Sequence, residues 1–268
     1  MYSSDFYKDL CSSVVGVAIT AGKQIASERN RFDDSKIERK GMHDLVSYVD
    51  KNSEKYIVGE LTRLFPEAGF IAEEGTADGS AKEDFNWVID PLDGTTNFIQ
   101  GIPFFAVSIA LIYRNVSVLG VVYEICREEC FYAWKDGGTF LNGAPVHVSS
   151  RNDIEDALLA TGFPYSNFSR IDKYVSFLKW AMENARGVRR IGSAATDLAY
   201  IACGRFDGFW EYDLKPWDVA AGAILVKEAG GKVSDFDGGE NFLFGREIVA
   251  TNTDINSTVL QTLNRFMK

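Results

Sequence analysis

The residues best suited to chemistry lie in the run Trp87-Val88-Ile89-Asp90-Pro91-Leu92-Asp93-Gly94-Thr95-Thr96-Asn97-Phe98, where an apolar trio ends in two carboxylates three residues apart, followed by a glycine and two hydroxyls. That order describes a strand emptying into a site. Pro91 has no N–H to give a ladder, so the chain is expected to turn after Asp90, and Gly94 permits close backbone approach to a ligand. A helical turn starting near Asp93 would aim the N–H groups and hydroxyls of Thr95 and Thr96 at an anion. The neighbouring carboxylates would repel that anion unless a cation lay between. Hard oxygen ligands that share an ion with a phosphate point to magnesium. A capped surface turn would use the same residues, since Asp and Gly are ordinary turn formers.

Three more acidic positions have comparable settings. Phe70-Ile71-Ala72-Glu73-Glu74-Gly75 again runs a short strand into carboxylates and a glycine, with Glu73 as the candidate metal ligand, although most Glu-Glu pairs are solvated. Asp50 falls on the apolar face of a helix expected from a cap at Asp44 to about Phe65, with Ile57, Leu61 and Leu64 on that face. It is either buried and in need of a partner, such as Lys40 or a metal-bound water, or solvated at the edge of the stripe. Asp218 opens Lys215-Pro216-Trp217-Asp218-Val219-Ala220-Ala221-Gly222, a helix that stops at Gly230-Gly231. A plain N-terminal cap accounts for it as well as a ligand role does.

The elements that must position these groups follow from periodicity. Val14, Val17, Ala21 and Ile25 recur at helical spacing, so a first helix is expected from Leu10 to Arg29. Arg31 to Lys40 is charged and irregular, and Thr76 to Asp84 reads as a loop. Runs 104–113, 119–126, 130–134 and 138–148 are β-branched and aromatic, separated by turn residues, and suggest an antiparallel meander. The polar stretch from Val148 to Asp156 marks a boundary between halves 1–150 and 151–268. The second half alternates short strands with helices: Leu158 to Gly162, then a helix traced by Tyr174, Leu178 and Met182, a basic strand at Gly187 to Ile191, a small-residue helix opening at Gly192-Ser193-Ala194, and a strand at Asp207 to Glu211. Val249 to Thr251 and a helix through Val259, Leu263 and Met267 close the chain.

Composition excludes several classes. The chain has 268 residues, enough for a large core without staples, and its 38 acidic against 28 basic residues give a formal charge of −10. That balance disfavours nonspecific binding of nucleic acid or anionic membranes, and Arg189-Arg190 are too few to reverse it. No apolar run approaches the roughly 20 residues of a membrane span, and a cytoplasmic setting is expected. The four cysteines, Cys11, Cys126, Cys130 and Cys203, form no metal or disulfide pattern and are expected in the core. With only His43 and His147, a Ser-His-Asp triad is not expected, so catalysis must lean on carboxylates. Gly16 to Lys23 has the wrong spacing for a phosphate loop and reads as helix.

The string D-P-L-D-G-T-T-N-F at 90–98 resembles the metal signature of the inositol monophosphatase family, and W-D-V-A-A-G with E-A-G-G at 217–231 resembles its second signature. The segment from Asp44 to Asp50, the Glu73-Glu74 step and the Asp207–Glu211 strand extend the likeness over nearly the whole chain. Gln100 departs from it, standing where many members have His. The resemblance implies a five-layer αβαβα sandwich and magnesium-dependent, lithium-sensitive hydrolysis of a phosphomonoester. It implies metal ligation by Glu73, Asp90, the Leu92 carbonyl, Asp93 and Asp218, with Thr95, Asp50 and Glu73 serving the attacking water. Phosphate and substrate would meet Gly94, Thr95, Thr96, Gly192, Ser193, Ala194, Glu211 and Asp218. Inositol 1-phosphate or a related polyol monophosphate is the expected substrate. The alternatives are fructose bisphosphate, histidinol phosphate, NADP or 3′-phosphoadenosine 5′-phosphate, or an RNA- or transcription-associated binding role as in some bacterial relatives. Homodimers are common in the family.

Overall fold

The computed structural model describes residues 2–29, 31, 38–39, 45–76 and 81–268, with backbone alone at 38–39 and 45–46. The first layer pairs α1 (Ser4–Arg29) with α2 (Tyr48–Leu64); β1 (Glu38–Arg39) and β2 (Leu45–Val46) make a small antiparallel ladder before α2. A seven-stranded sheet follows, ordered β3 (Gly69–Ala72), β4 (Phe85–Asp93), β5 (Ala106–Tyr113), β6 (Val116–Glu124), β7 (Glu129–Trp134), β8 (Gly138–Leu141) and β9 (Ala144–Val146), with α3 (Thr95–Gln100) between β4 and β5. From β4 onward it is an antiparallel meander, and β3 alone runs parallel to its neighbour.

The second sheet draws on β10 (Leu158–Thr161), β11 (Gly187–Arg189), β12 (Gly208–Tyr212), β13 (Lys232–Ser234) and β14 (Glu247–Thr251), in the order β11-β10-β12-β14-β13. Between the sheets lie α5 (Ala194–Ala202) and α6 (Pro216–Glu228); α4 (Ile171–Asn184) and α7 (Asn256–Met267) cover the outer face. Three cores result. Val14, Ala18, Ile57 and Leu61 pack on Trp87, Ile89 and Val121; Leu198, Ala221 and Leu225 fill the space between Ala110 or Val122 and Phe209 or Ala250; Tyr174, Phe177 and Leu263 enclose Trp210. The layers are helix, sheet, helix, sheet, helix. The near-continuous apolar character of α5 and α6 follows, because helices between two sheets have no wet face.

Several elements differ from their sequence reading. α1 begins at Ser4, not Leu10. It is long and apolar enough to cross a membrane by length and composition, but Val14, Ala18, Ala21 and Ile25 are buried against the sheet. α2 is capped by Ser47, whose hydroxyl accepts from the Val49 N–H at 3.1 Å, while Asp44 and Lys40 lie outside the described residues, as does most of the 31–40 segment. Pro91 does not end its strand. β4 runs on to Asp93, and the ladder to β5 skips from the Asp90–Ser108 pair to the Asp93–Ala106 pair, so a bulge absorbs the missing donor. The 138–148 run divides at Asn142-Gly143 into β8 and β9. Cys126 is exposed, because it lies in the β6–β7 turn and not in either strand. Asp218 is the third residue of α6, whose N-cap is Lys215.

The face of α4 also shifts. Tyr174, Phe177 and Ala181 are buried, whereas Met182, spaced correctly from Tyr174, is 60% exposed. Phe177 stacks edge-on to Trp210 at 4.9 Å between centroids. We expect Phe177→Ala to cost about 3–5 kcal/mol in denaturant unfolding and Met182→Ala no more than about 0.5 kcal/mol. Equal losses would restore the face inferred from the sequence.

Candidate active site

Asp90 and Asp93 of β4, Glu73 just past β3 and Asp218 in the first turn of α6 come from three elements, and the last three lie close enough for their charges to act on Asp90. Asp90 is 2% exposed, and its Oδ1 accepts from the Leu92 N–H at 2.9 Å, which fixes the backbone of the bulge. Burial holds its carboxyl well above the usual range, and the charges of Glu73, Asp93 and Asp218 push it further in the same direction. A hydrogen bond between Asp90 and Glu73 lets the two acids share a proton. Among the described residues no three His, Cys, Asp or Glu side chains converge as a ready-made ligand shell. The donor set nevertheless suits a hard divalent cation, being all oxygen, anionic when deprotonated, and mutually repulsive until a positive charge is shared.

Asp93 is held from across the molecule. Its Oδ2 accepts from the Ser193 hydroxyl at 2.6 Å and from the Ala195 N–H at 2.8 Å, so the amino end of α5 is spent on this carboxylate. Burial raises Asp93 to about 6, against the lowering effect of these donors. Ser193 is also the N-cap of α5, accepting from the Thr196 N–H.

Thr95 and Asp50 come together. The Thr95 Oγ lies 2.9 Å from Asp50 Oδ1 and 2.9 Å from the Leu92 carbonyl oxygen. Asp50 Oδ2 accepts from the Ser47 N–H at 2.9 Å and the Ser47 hydroxyl at 2.6 Å. Asp50 is therefore buried and partnered, not solvated, and burial still lifts its carboxyl above the ordinary range against these bonds. Gly94 caps α3 with φ +89°, and a Cβ there would lie 2.9 Å from the Phe104 carbonyl, so this turn requires glycine. Thr95 and Thr96 occupy the first turn of α3, whose N–H groups have no intrahelical acceptor.

A cleft of about 330 Å³, open to solvent, joins Asp93 and Asp218 to Gly192, Ser193, Ala194 and Glu211. Asp50, Glu73, Asp90, Leu92, Gly94, Thr95 and Thr96 lie outside its lining and connect to it through Asp93. Asp218 Oδ2 accepts from the Lys215 N–H at 2.6 Å, the bond of a first-turn acid in α6. Of Arg189, Arg190 and Lys215, only Arg190 lines the cleft. Burial raises the Glu211 carboxyl well above its usual range, with Arg190 opposing.

Sequence reading missed the residues that hold this arrangement. Glu54, fully buried one turn after Asp50 on α2, accepts from the Glu74 N–H at 2.7 Å, the Thr76 N–H at 2.7 Å and the Thr76 hydroxyl at 2.8 Å, which fixes the Glu73 loop. Asn97 Nδ2 donates to the Phe104 and Ile191 carbonyls, each at 2.8 Å, binding α3 to the segment before α5. The i, i+4 spacing of Asp50 and Glu54 was the available signal for the first; nothing local marked the second. Tyr165, Asp197, Gly162 and Leu214 complete the lining of the cleft.

Gly162 has a definite role, because a Cβ built on it would fall inside the Glu211 carboxylate. Gly162→Ala should therefore lower stability by about 1–3 kcal/mol through overpacking, and adding Glu211→Ala should recover much of that loss, a coupling of about 0.5–3 kcal/mol. Additive losses in the double-mutant cycle would show that the two residues do not compete for the same space.

A family model described as the inositol monophosphatase family matches residues 8–267. Among curated proteins, the "Nus factor SuhB" of Pseudomonas aeruginosa is 44% identical over 250 residues, covering 92% of each chain. The "Inositol-1-monophosphatase" of Mesorhizobium japonicum is 39% identical over 256 residues, covering 96% of each. The solved structure of the extragenic suppressor protein suhB from Bartonella henselae superposes with a TM-score of 0.89 at 39% identity, covering 95% of this chain and 98% of that one.

Proposed function

Because the chain belongs to the inositol monophosphatase family, and is thereby a phosphomonoester hydrolase of a family that works with metal ions, we propose that it uses magnesium to hydrolyse inositol 1-phosphate or a related polyol monophosphate. The observation that carries this reading is the cleft itself, which joins the carboxylate cluster through Asp93 and Asp218 to a wall containing Glu211.

Glu73, Asp90, Asp93, Asp218 and the Leu92 carbonyl would hold magnesium, which when bound neutralises developing charge on the phosphoryl group and leaving oxygen and acidifies bound water. Thr95 gives its hydroxyl proton to Asp50 or to the Leu92 carbonyl, and so turns its oxygen lone pairs toward a proton of the attacking water. Asp50 is kept in place for this by its two bonds to Ser47. The first-turn amides of α3, from Gly94 to Thr96, receive phosphate oxygens. Water adds to phosphorus, the P–O bond to the alcohol breaks, the alcohol oxygen leaves with one of the water's two protons while the phosphate keeps the other, and no covalent enzyme intermediate is needed. Glu211 accepts hydrogen bonds from hydroxyls of the departing alcohol, with Gly192, Ser193 and Ala194 forming the adjoining wall.

A second reading rests on the relative named Nus factor SuhB: a transcription-associated role alongside hydrolysis. It is separable, because a chain silenced in catalysis would still perform it.

Asp93→Asn should lower magnesium-dependent turnover at least about a thousandfold, since charge stabilisation is usually the largest catalytic contribution. The circular dichroism of the variant should match the parent. Magnesium should raise the Tm of the parent by binding the folded state only, and raise that of the variant less. Near-normal turnover by Asp93→Asn would remove it from the metal site.

The substrate preference is tested with a kinetic panel. Inositol 1-phosphate should show higher kcat/KM than fructose 1,6-bisphosphate or 3′-phosphoadenosine 5′-phosphate, because a single arginine at the cleft is weak provision for a second phosphate while Glu211 repels it. Glu211→Gln should weaken the polyol most. A bisphosphate as best substrate, with Glu211→Gln indifferent to inositol phosphate, ends the polyol assignment and leaves the metal chemistry standing.

A further inference from the structure

Asp197 lies in the first turn of α5, is 1% exposed, and lines the same cleft as Glu211, Arg190 and Asp93. Its carboxyl makes no hydrogen bond to any described residue, and its Oδ1 is fully enclosed. Three other buried acids nearby are treated differently. Asp50 and Glu54 each accept three hydrogen bonds, and Asp93 accepts two. A first-turn acid is favoured by the helix dipole, which explains tolerance of an acid at this position. It does not explain a carboxyl turned inward without a donor, since a buried polar group lacking a partner is destabilising. Arg190 is close enough for the two charges to be felt, yet the pair forms no ion pair within 4.0 Å. The side chain borders the cleft, and a small rotation of its carboxyl would bring the enclosed oxygen a donor from what enters there.

We propose that Asp197 is a specificity-determining residue of the cleft, whose carboxyl hydrogen-bonds a hydroxyl of the non-reacting part of the substrate beside the one taken by Glu211. The proposal rests on the polyol reading above and extends it: two carboxyls, one on β12 and one on α5, present adjacent polar atoms that a vicinal polyol satisfies and a hydroxyl-free ester does not. The inward-turned acid is then a group whose cost to stability is retained for binding.

The experiment compares the full chain with Asp197→Asn and Asp197→Ala, using inositol 1-phosphate and p-nitrophenyl phosphate with magnesium, and records Tm for each. The ratio of kcat/KM for inositol 1-phosphate to that for p-nitrophenyl phosphate should fall about ten- to a hundredfold in Asp197→Ala, mainly through KM, as expected for losing a hydrogen bond to a carboxylate. Asp197→Asn should fall less, because an amide still offers polar atoms to a hydroxyl. The Tm of both variants should hold or rise. A ratio unchanged within about twofold, or a lower Tm with both substrates impaired alike, overturns the proposal and makes Asp197 structural. The polyol reading fails separately, when the parent chain prefers a bisphosphate; in that case the same ratio, taken with the preferred hydroxyl-bearing substrate, still decides the role of Asp197. A parent chain that hydrolyses neither ester overturns both.

Discussion

Like-charge repulsion at the end of β4 is the constraint on which the rest of this structure depends. Asp90 is buried with Glu73, Asp93 and Asp218 around it, and each neighbour makes its ionisation harder. Unit charges a few ångströms apart in a poorly hydrated setting repel by several kcal/mol even at a generous effective dielectric, so the cluster cannot hold itself together. Its members are placed by backbone. Asp90 is set by the Leu92 N–H, Asp93 by α5, Asp218 by the first turn of α6, and the Glu73 loop by Glu54. Apart from the hydrogen bond that Asp90 shares with Glu73, the group is kept assembled against repulsion by these separate anchors.

That anchoring explains why the site cannot belong to one sheet. Asp90 and Asp93 lie on the seven-stranded sheet, whereas the donors to Asp93 lie on α5 and Asp218 on α6, both packed between the sheets. Asn97 adds a second tie by donating to carbonyls at Phe104 and Ile191. The core between the sheets fills the same interval with Ala110, Val122, Leu198, Ala221 and Phe209. Loss of volume there would therefore alter the spacing of the acids as well as stability, since packed interiors transmit strain.

Much of this was legible in the sequence, and the failures have physical reasons. The acids themselves announced the site, because short apolar runs ending in Asp-Gly or Glu-Gly are strands leading into tight turns. Pro91 misled because a proline forbids one ladder bond, not a strand, and a bulge can discard that bond. Phe177 was passed over for Met182 because both fit a 3.6-residue period from Tyr174 within the width of an apolar stripe. The cap expected at Asp44 gives way to Ser47, also a good N-cap residue, distinguished by its reciprocal bond with Asp50, a side-chain geometry that spacing alone suggests only weakly. Gly162 and Asn97 left no local trace at all, since their reasons lie across 49 residues to Glu211 and 94 residues to Ile191.

The two helix amino ends near the acids have divided work. α5 directs a backbone amide and its capping hydroxyl at Asp93, so the burial that raises this carboxyl is opposed, and it comes to about 6. Asp90 has the single Leu92 amide and three acids for neighbours, and stays well above the ordinary range. Hydrogen-bond donors thus oppose burial at Asp93, whereas at Asp90 the surrounding acids and the bond with Glu73 act in the same direction as burial. An arriving cation would favour the deprotonated form of every acid in the cluster, Asp90 above all, so its binding would be coupled to proton release. Because α5 is occupied by a protein carboxylate, the short α3 at Gly94 would be the helix end left for an incoming anion on the proposed reading. On the proposed reading, cation and anion would be received by opposite ends of the same five-residue link, from Asp90 to Gly94, whose conformation the bulge and the left-handed glycine together impose.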